Sequence, residues 1–398
     1  MAITPRMESP KPLAAPGAFS SHLRRIIGLA NIPLLATIAA LSGYGLLVVG
    51  SAIAGSPEYS FRRQTMGIVI GVVLLLIFWR VDYRRFSAWF APLLVLDIIL
   101  IISPLLPFIG VTINGARSWV NIFDQQLQPG ELAKLVTIVM MAALVSRYGG
   151  RIPTVKDYLR CLLILFIPIV LIMLQPDLGT GMVLFAIGAA ILFAGGADWK
   201  WLVLTLLALV ALILLAFFID PLLDQAAGHD VFLKQYQKNR LLVFMDEDLD
   251  PSGVGYNVQQ AKIAIGSGGL FGKGLGLGTQ SGLGFLPEAP TDFIFCVLAE
   301  ELGFVGCLGL ILLYAALIGL SIWAALRSEE FFGSLAIIGI LGMWVFQILE
   351  NIGMSCGLMP ITGIPLPFVS YGSSFMVVNF MALGLILSVW SHRSTRPS

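Results

Sequence analysis

The chain has 398 residues, 58% of them hydrophobic and 12% charged, with a formal net charge of +1. A soluble globular protein carries about 25% charged residues, so this composition excludes one. The near-neutral charge also removes any global electrostatic case for a nucleic-acid partner.

Residues 1–25, rich in Pro, Ala and Ser, read as a disordered tail. Uncharged runs long enough to cross a bilayer then recur at 26–57, 64–79, 161–176, 178–197, 201–219, 302–326, 331–349 and 351–391. Two less clean segments, around 86–108 and 132–146, join them. The last run supplies a helix end, a loop and a further helix, so the total is about ten spans. The first run is too long for a signal-peptide core and lacks a small-residue cleavage site, so it reads as a retained span. The predicted fold is an all-α polytopic membrane protein of about ten transmembrane helices. One large extracytoplasmic loop, 220–292, separates helices 7 and 8 of a transmembrane domain at 26–392, and 393–398 forms a second tail.

With the N-terminus inside, the basic groups Arg24/Arg25, Arg80/Arg84/Arg85 and Arg147/Arg151/Lys156/Arg160 all fall on the cytoplasmic side. The positive-inside rule then places both termini in the cytoplasm. The four cysteines lie in or beside apolar spans without CxxC spacing, which argues against a disulfide framework or a zinc site. The three histidines are scattered.

Segment 109–130 and loop 220–292 are the two long extracytoplasmic connections, and the second is large enough to fold outside the membrane. Within it, 266–284 reads GSGGLFGKGLGLGTQSGLG. A phosphate-binding P-loop fails at Ser267 and Gly274, and no frame fits GxGxxG. Two readings remain: a flexible re-entrant or surface loop, or backbone amides that bind an anion beside Lys273.

Carboxylates in apolar surroundings are costly and mark function or pairing. Asp292 follows Pro290 and Thr291 at a helix entrance, where a carboxylate also suits a cap or the helix dipole. Glu300 lies ~12 Å deeper on the same helix, and Glu301 faces away from it. Those two read as packing groups paired with basic residues of a neighbouring helix. In QPGELAKL, 128–135, Glu131 and Lys134 share a face. They form either an ion pair at the membrane edge or a polar cleft facing a substrate, and the interior preference of membrane charges favours the cleft. In QPDLGTG, 175–181, Asp177 reads as a helix cap. The proline-rich segment 360–375 reads as an irregular connection, tolerated at membrane depth only where buried or lining a cavity.

QPGELAKL, QPDLGTG, AIGSGGLFGKG, LPEAPTDFIFCVLAEELG and PITGIPLPFVSYG stand in the order and spacing of the SEDS family. These are the bacterial shape, elongation, division and sporulation proteins, which this chain resembles over nearly all of its membrane part. GTQSGLGFLPE is more similar to the RodA branch than to the FtsW branch. The resemblance implies a ten-helix inner-membrane enzyme that polymerises lipid II into glycan strands. It implies a class B penicillin-binding protein as transpeptidase partner, and other elongation-complex membrane proteins and membrane lipid around it.

By the same resemblance Asp292 is the essential carboxylate, and Glu131 with Lys134 is the polar pair of the central cavity. Arg117, Gln128 and Asp177 are expected substrate contacts, with Gln280 and Glu288 from the loop and Ser370 and Tyr371 from the proline-rich segment. Chemically, Asp292 would act as general base on the acceptor sugar hydroxyl, in one inverting displacement with no enzyme nucleophile. The leaving diphosphate wants positive charge. Lys134, Arg240, Lys262 and Lys273 are candidates, as is a divalent cation, Mg or Mn. The competing readings are a flippase or transporter for lipid-linked precursors, the division-specific polymerase, and a non-enzymatic scaffold.

Overall fold

Asn31 opens the first helix: its side chain accepts the amide of Leu34 at 3.3 Å, and Pro33 sits in the first turn. The structure, a computed structural model, describes residues 31–54, 58–107, 109–113, 116–122, 125–227, 240, 242–244, 250 and 253–393. The expected tail 1–25, and all of the second tail except Arg393, lie outside the described residues.

The helices run α1 (Ile32–Ala52), α2 (Phe61–Arg80), α3 (Phe90–Ile102), α4 (Pro129–Val145), α5 (Val155–Met173), α6 (Leu178–Ala194) and α7 (Trp199–Ala227). After the loop helix α8 (Val254–Gly268) come α9 (Ile294–Leu326), α10 (Phe331–Ser355) and α11 (Ser373–Ser391). Among the described residues, 7 helices are long and apolar enough to cross a membrane, namely α1, α2, α4, α7, α9, α10 and α11. Helices α3 and α6 are shorter, and α5 carries Lys156, Asp157 and Arg160 at its start. Together these supply the expected bundle of about ten spans. Helix α7 continues past Asp220 to Ala227, into the segment expected as loop.

Local chemistry sets the boundaries. Pro129 starts α4 with Glu131 in its first turn, and Thr154 caps α5 by accepting the amide of Asp157 at 3.2 Å. Helices α4 and α11 are buried along almost their whole length, while α7 is exposed along its apolar stretch.

One element was not expected. Between α3 and α4 the chain forms a three-stranded antiparallel sheet, β1 (Gly110–Ile113), β2 (Ala116–Ile122) and β3 (Gln125–Leu127). Gly110 pairs with Val120 and Val120 with Leu127. The β-branched and aromatic residues of Val111, Thr112, Ile113, Trp119 and Val120 suit a pleated surface.

The glycine-rich loop is re-entrant. Helix α9 breaks at Gly303, where φ is 65° and ψ −164°. On one side of the break, the carbonyls of Glu300 and Glu301 accept the amides of Lys273 (3.0 Å) and Gly274 (2.9 Å). On the other, the amides of Phe304 and Val305 donate to the carbonyls of Gly269 (2.9 Å) and Leu270 (3.1 Å). A broken helix in lipid must have its freed backbone groups satisfied, and here the loop does so. A Cβ on Gly303 would lie 2.3 Å from the Gly272 nitrogen, so only glycine permits the approach. The break sits ~13 Å along α9, and the loop reaches that depth with Leu270, Phe271, Leu275 and Leu277 exposed on its crest.

Candidate active site

Asp292 stands just before α9 in a turn where the amides of Thr291, Asp292 and Phe293 all point at the Glu288 carbonyl, at 3.2, 3.0 and 3.3 Å. Glu288 adopts a left-handed φ of 51° to make that turn. Helix α10 holds the turn from the side: the Asn351 side-chain amide donates to the carbonyls of Asp292 and Ile364, both at 2.8 Å. From above, Gly363 (φ +76°) lies so close that a Cβ there would sit 2.9 Å from Asp292 Oδ2. The carboxyl is half-buried. Burial pushes it up to about 6, and the negative charge of Glu288 adds to this. A Thr291 hydrogen bond and the positive charge of Arg240 oppose the rise.

Arg240 donates from Nη1 to the Thr362 carbonyl at 3.1 Å, which places the guanidinium at the same turn. At the rim Tyr59 donates to Glu288 Oε2 at 2.7 Å and meets Tyr371 edge-to-face, with ring centroids 5.1 Å apart. Burial and the Glu288 bond push the Tyr59 phenol well above its ordinary value. Tyr371 also bonds the Pro290 carbonyl through its amide at 2.8 Å.

The second cluster lies at the starts of α4, α6 and α11. Lys134 Nζ donates to Glu131 Oε1 at 2.7 Å, and both are almost fully buried. The Phe375 ring lies under the ammonium, 5.9 Å to its centroid. Asp177 caps α6 by accepting the amide and hydroxyl of Thr180, at 3.0 and 2.8 Å, and Gln128 reaches it at 3.4 Å. Residues 362–364 join the clusters. Gly179 beside that cap lies against Ile364 and the Thr362 carbonyl, while Gly363 leans on Asp292.

Several expected contacts are engaged elsewhere. Lys273 donates to Glu300 Oε1 at 2.6 Å, where the amides of Thr279 (2.8 Å) and Gln280 (3.1 Å) and the Thr279 hydroxyl (2.9 Å) also converge. The loop is thus an anion cradle, and the anion it holds is the protein's own carboxylate. The basic partner expected for Glu300 on a neighbouring helix is Lys273 of this loop, because a buried carboxylate needs several donors at once. Glu301 accepts from Ser51 of α1. Ser370 is fully buried and fixes the turn, its hydroxyl accepting the Leu366 amide at 2.7 Å. Arg117, on β2, donates to the Leu106 carbonyl at 3.0 Å, and Lys262 is exposed on α8.

Sequence reasoning misses Glu350, Asn351 and Tyr59. A signal was present for the first: Glu350 alone interrupts an uncharged stretch from 331 to 391. It is 1% exposed, and the Thr362 hydroxyl donates to it.

Residues 32–395 match the family model of the cell cycle proteins FtsW, RodA and SpoVE. The peptidoglycan glycosyltransferase MrdB of Escherichia coli (strain K12) is 38% identical over 360 residues, 90% of this chain and 93% of that protein. Among solved structures, a chain of a peptidoglycan synthase complex that coordinates polymerization and crosslinking is similar, with a TM-score of 0.76 and 32% identity. That match covers 91% of this chain and 98% of the other. The rod shape determining protein RodA of Thermus thermophilus gives a TM-score of 0.66 at 30% identity, over 91% of this chain and 97% of that one.

Proposed function

The chain belongs to the FtsW, RodA and SpoVE family of cell cycle proteins, and on that premise we propose that it is the peptidoglycan glycosyltransferase of cell elongation, polymerising lipid II. The observation that carries the reading is the half-buried Asp292 carboxyl, raised to about 6, lying against Gly363 on a turn whose backbone α10 holds. A base poised near neutrality is what the reaction needs. Asp292 takes the proton of the acceptor sugar hydroxyl as that oxygen bonds to the anomeric carbon of the donor. The bond from that carbon to the undecaprenyl diphosphate breaks, the diphosphate leaves with the electron pair, and the α-linked donor becomes a β-linked product.

Arg240 supplies positive charge beside Asp292 for the leaving diphosphate. Among the described residues no three His, Cys, Asp or Glu side chains converge as a metal site. A divalent cation carried mainly by the substrate diphosphate needs only one or two protein carboxylates, and no step is routed through one.

The working assembly pairs this chain with a class B penicillin-binding protein in the bacterial inner membrane, among other elongation-complex proteins. Both termini lie in the cytoplasm. Support for that orientation comes from the basic residues Arg80, Arg84, Arg85, Arg147, Arg151 and Arg327, which gather on the connections opposite to those bearing Asp292.

The test is glycan polymerisation from lipid II by purified protein with a class B partner, comparing wild type with Asp292→Asn. Strands from wild type and a loss of about a thousandfold or more in an equally folded variant are expected for removal of the base. Equal activity in both would discard Asp292 as base. No strands from either would instead favour a precursor translocator, and vesicle flipping of lipid II would then be measured.

A further inference from the structure

Glu350 is the one charge in α10's membrane-spanning length, and the mechanism above does not use it. A carboxylate kept at 1% exposure inside an apolar helix is costly. One of its oxygens accepts the Thr362 hydroxyl, and the other, Oε2, is buried with no hydrogen-bond donor among the described residues. Packing alone would be served better by leucine.

Its neighbours explain the cost. Asn351, the next residue on α10, ties the Asp292 carbonyl to the Ile364 carbonyl. Thr362 stands between two opposite charges, its hydroxyl bound to Glu350 and its carbonyl to Arg240. Gly363 then rests against the Asp292 carboxylate. Glu350, Arg240 and Asp292 are close enough for their charges to interact.

We propose that Glu350 is a positioning residue for glycosyl transfer: through Thr362 it fixes the turn that sets Gly363 and Arg240 against Asp292. The groups that face Asp292 are Glu288, Tyr59, Arg240 and Glu350, and those facing Glu350 are Asp292 and Arg240. The proposal rests on Asp292 being the base.

The test uses the full chain with its class B partner and lipid II, following kcat/KM from pH 5 to 9. The variants are Glu350→Gln, Glu350→Leu, Thr362→Val and Asp292→Asn, each with a thermal melt. Glu350→Gln keeps an oxygen for Thr362 but loses the charge. It is expected to keep kcat/KM within about threefold of wild type per folded molecule, because the Thr362 bond survives. Glu350→Leu and Thr362→Val both break the bond and are expected to lose about tenfold or more in kcat/KM per folded molecule.

The proposal is overturned if Glu350→Gln loses as much kcat/KM per folded molecule as Glu350→Leu. It is equally overturned if Glu350→Leu and Thr362→Val lower only the melting temperature, with rate per folded molecule and pH midpoint unchanged. An active Asp292→Asn would sink the base itself, a failure read in that arm alone. An inactive Asp292→Asn with fully active Glu350→Leu and Thr362→Val would sink only the role of Glu350.

Discussion

At the scale of single residues, Asp292 combines cost and use. Its folded pKa of about 6 lies above the ordinary carboxylate value, so the ionised form is penalised in the folded state. The stability it allows is fully present below pH 3.8 and is lost as pH rises through about 6. Asp292→Asn removes that penalty. The variant should melt higher than wild type at pH 8, by the equivalent of about 1–3 kcal/mol, and show no such gain at pH 4. Activity of wild type should rise with pH through about 6 and flatten above it, as the base ionises. The Glu131–Lys134 pair makes a different prediction. Lys134→Met leaves a buried carboxylate alone and should cost about 3–5 kcal/mol, whereas Glu131→Gln with Lys134→Met should recover much of it in a thermal melt.

At the scale of elements, the broken helix α9 and the re-entrant loop form one unit. Each supplies what the other lacks: loop amides and carbonyls complete the backbone at Gly303, and loop donors neutralise Glu300. Gly303→Ala forces a Cβ into the Gly272 nitrogen at a left-handed φ. A loss of about 3 kcal/mol or more is expected in a thermal melt. Gly266→Ala, where a Cβ meets nothing within 4 Å in α8, is the control and should be neutral or stabilising by about 0.5–1 kcal/mol. The sheet between α3 and α4 was also readable, in part. Asn114-Gly115 between β-branched runs is a strong hairpin signal in the sequence, but the apolar setting draws attention to helices instead.

At the scale of the whole molecule, ten spans put the connection 327–330 on the side of both termini and the connection 356–372 on the side of Asp292. In a cysteine-free background, Leu358→Cys, at a position 74% exposed, should react with a membrane-impermeant thiol reagent on intact spheroplasts. Ser328→Cys should react only after permeabilisation. The reverse pattern would invert the bundle and remove the site from the glycan-bearing face. The far end is held by Arg84, which bonds Glu329 at 2.6 Å and the His392 carbonyl at 3.0 Å, tying the connection after α2 to the residues just before α10 and just after α11, away from the chemistry.

Hydropathy, caps and the positions of rare charges are local properties, and they determined the membrane class, the spans, the place of Asp292 at a helix entrance, the shared face of Glu131 and Lys134, and the Asp177 cap. Each follows from a residue and its near neighbours along the chain, because lipid leaves a backbone few alternatives to helix. What the loop's amides bind, and which carboxylates share the site, depended on contacts between residues far apart in sequence. Lys273 meets Glu300, and Glu350 meets Thr362 at the turn that bears on Asp292, only once α8 to α11 are packed. A charge reads alike in the sequence whether it serves as base, packing group or counter-charge. Its role is decided by the donors, acceptors and dielectric that the tertiary structure places around it.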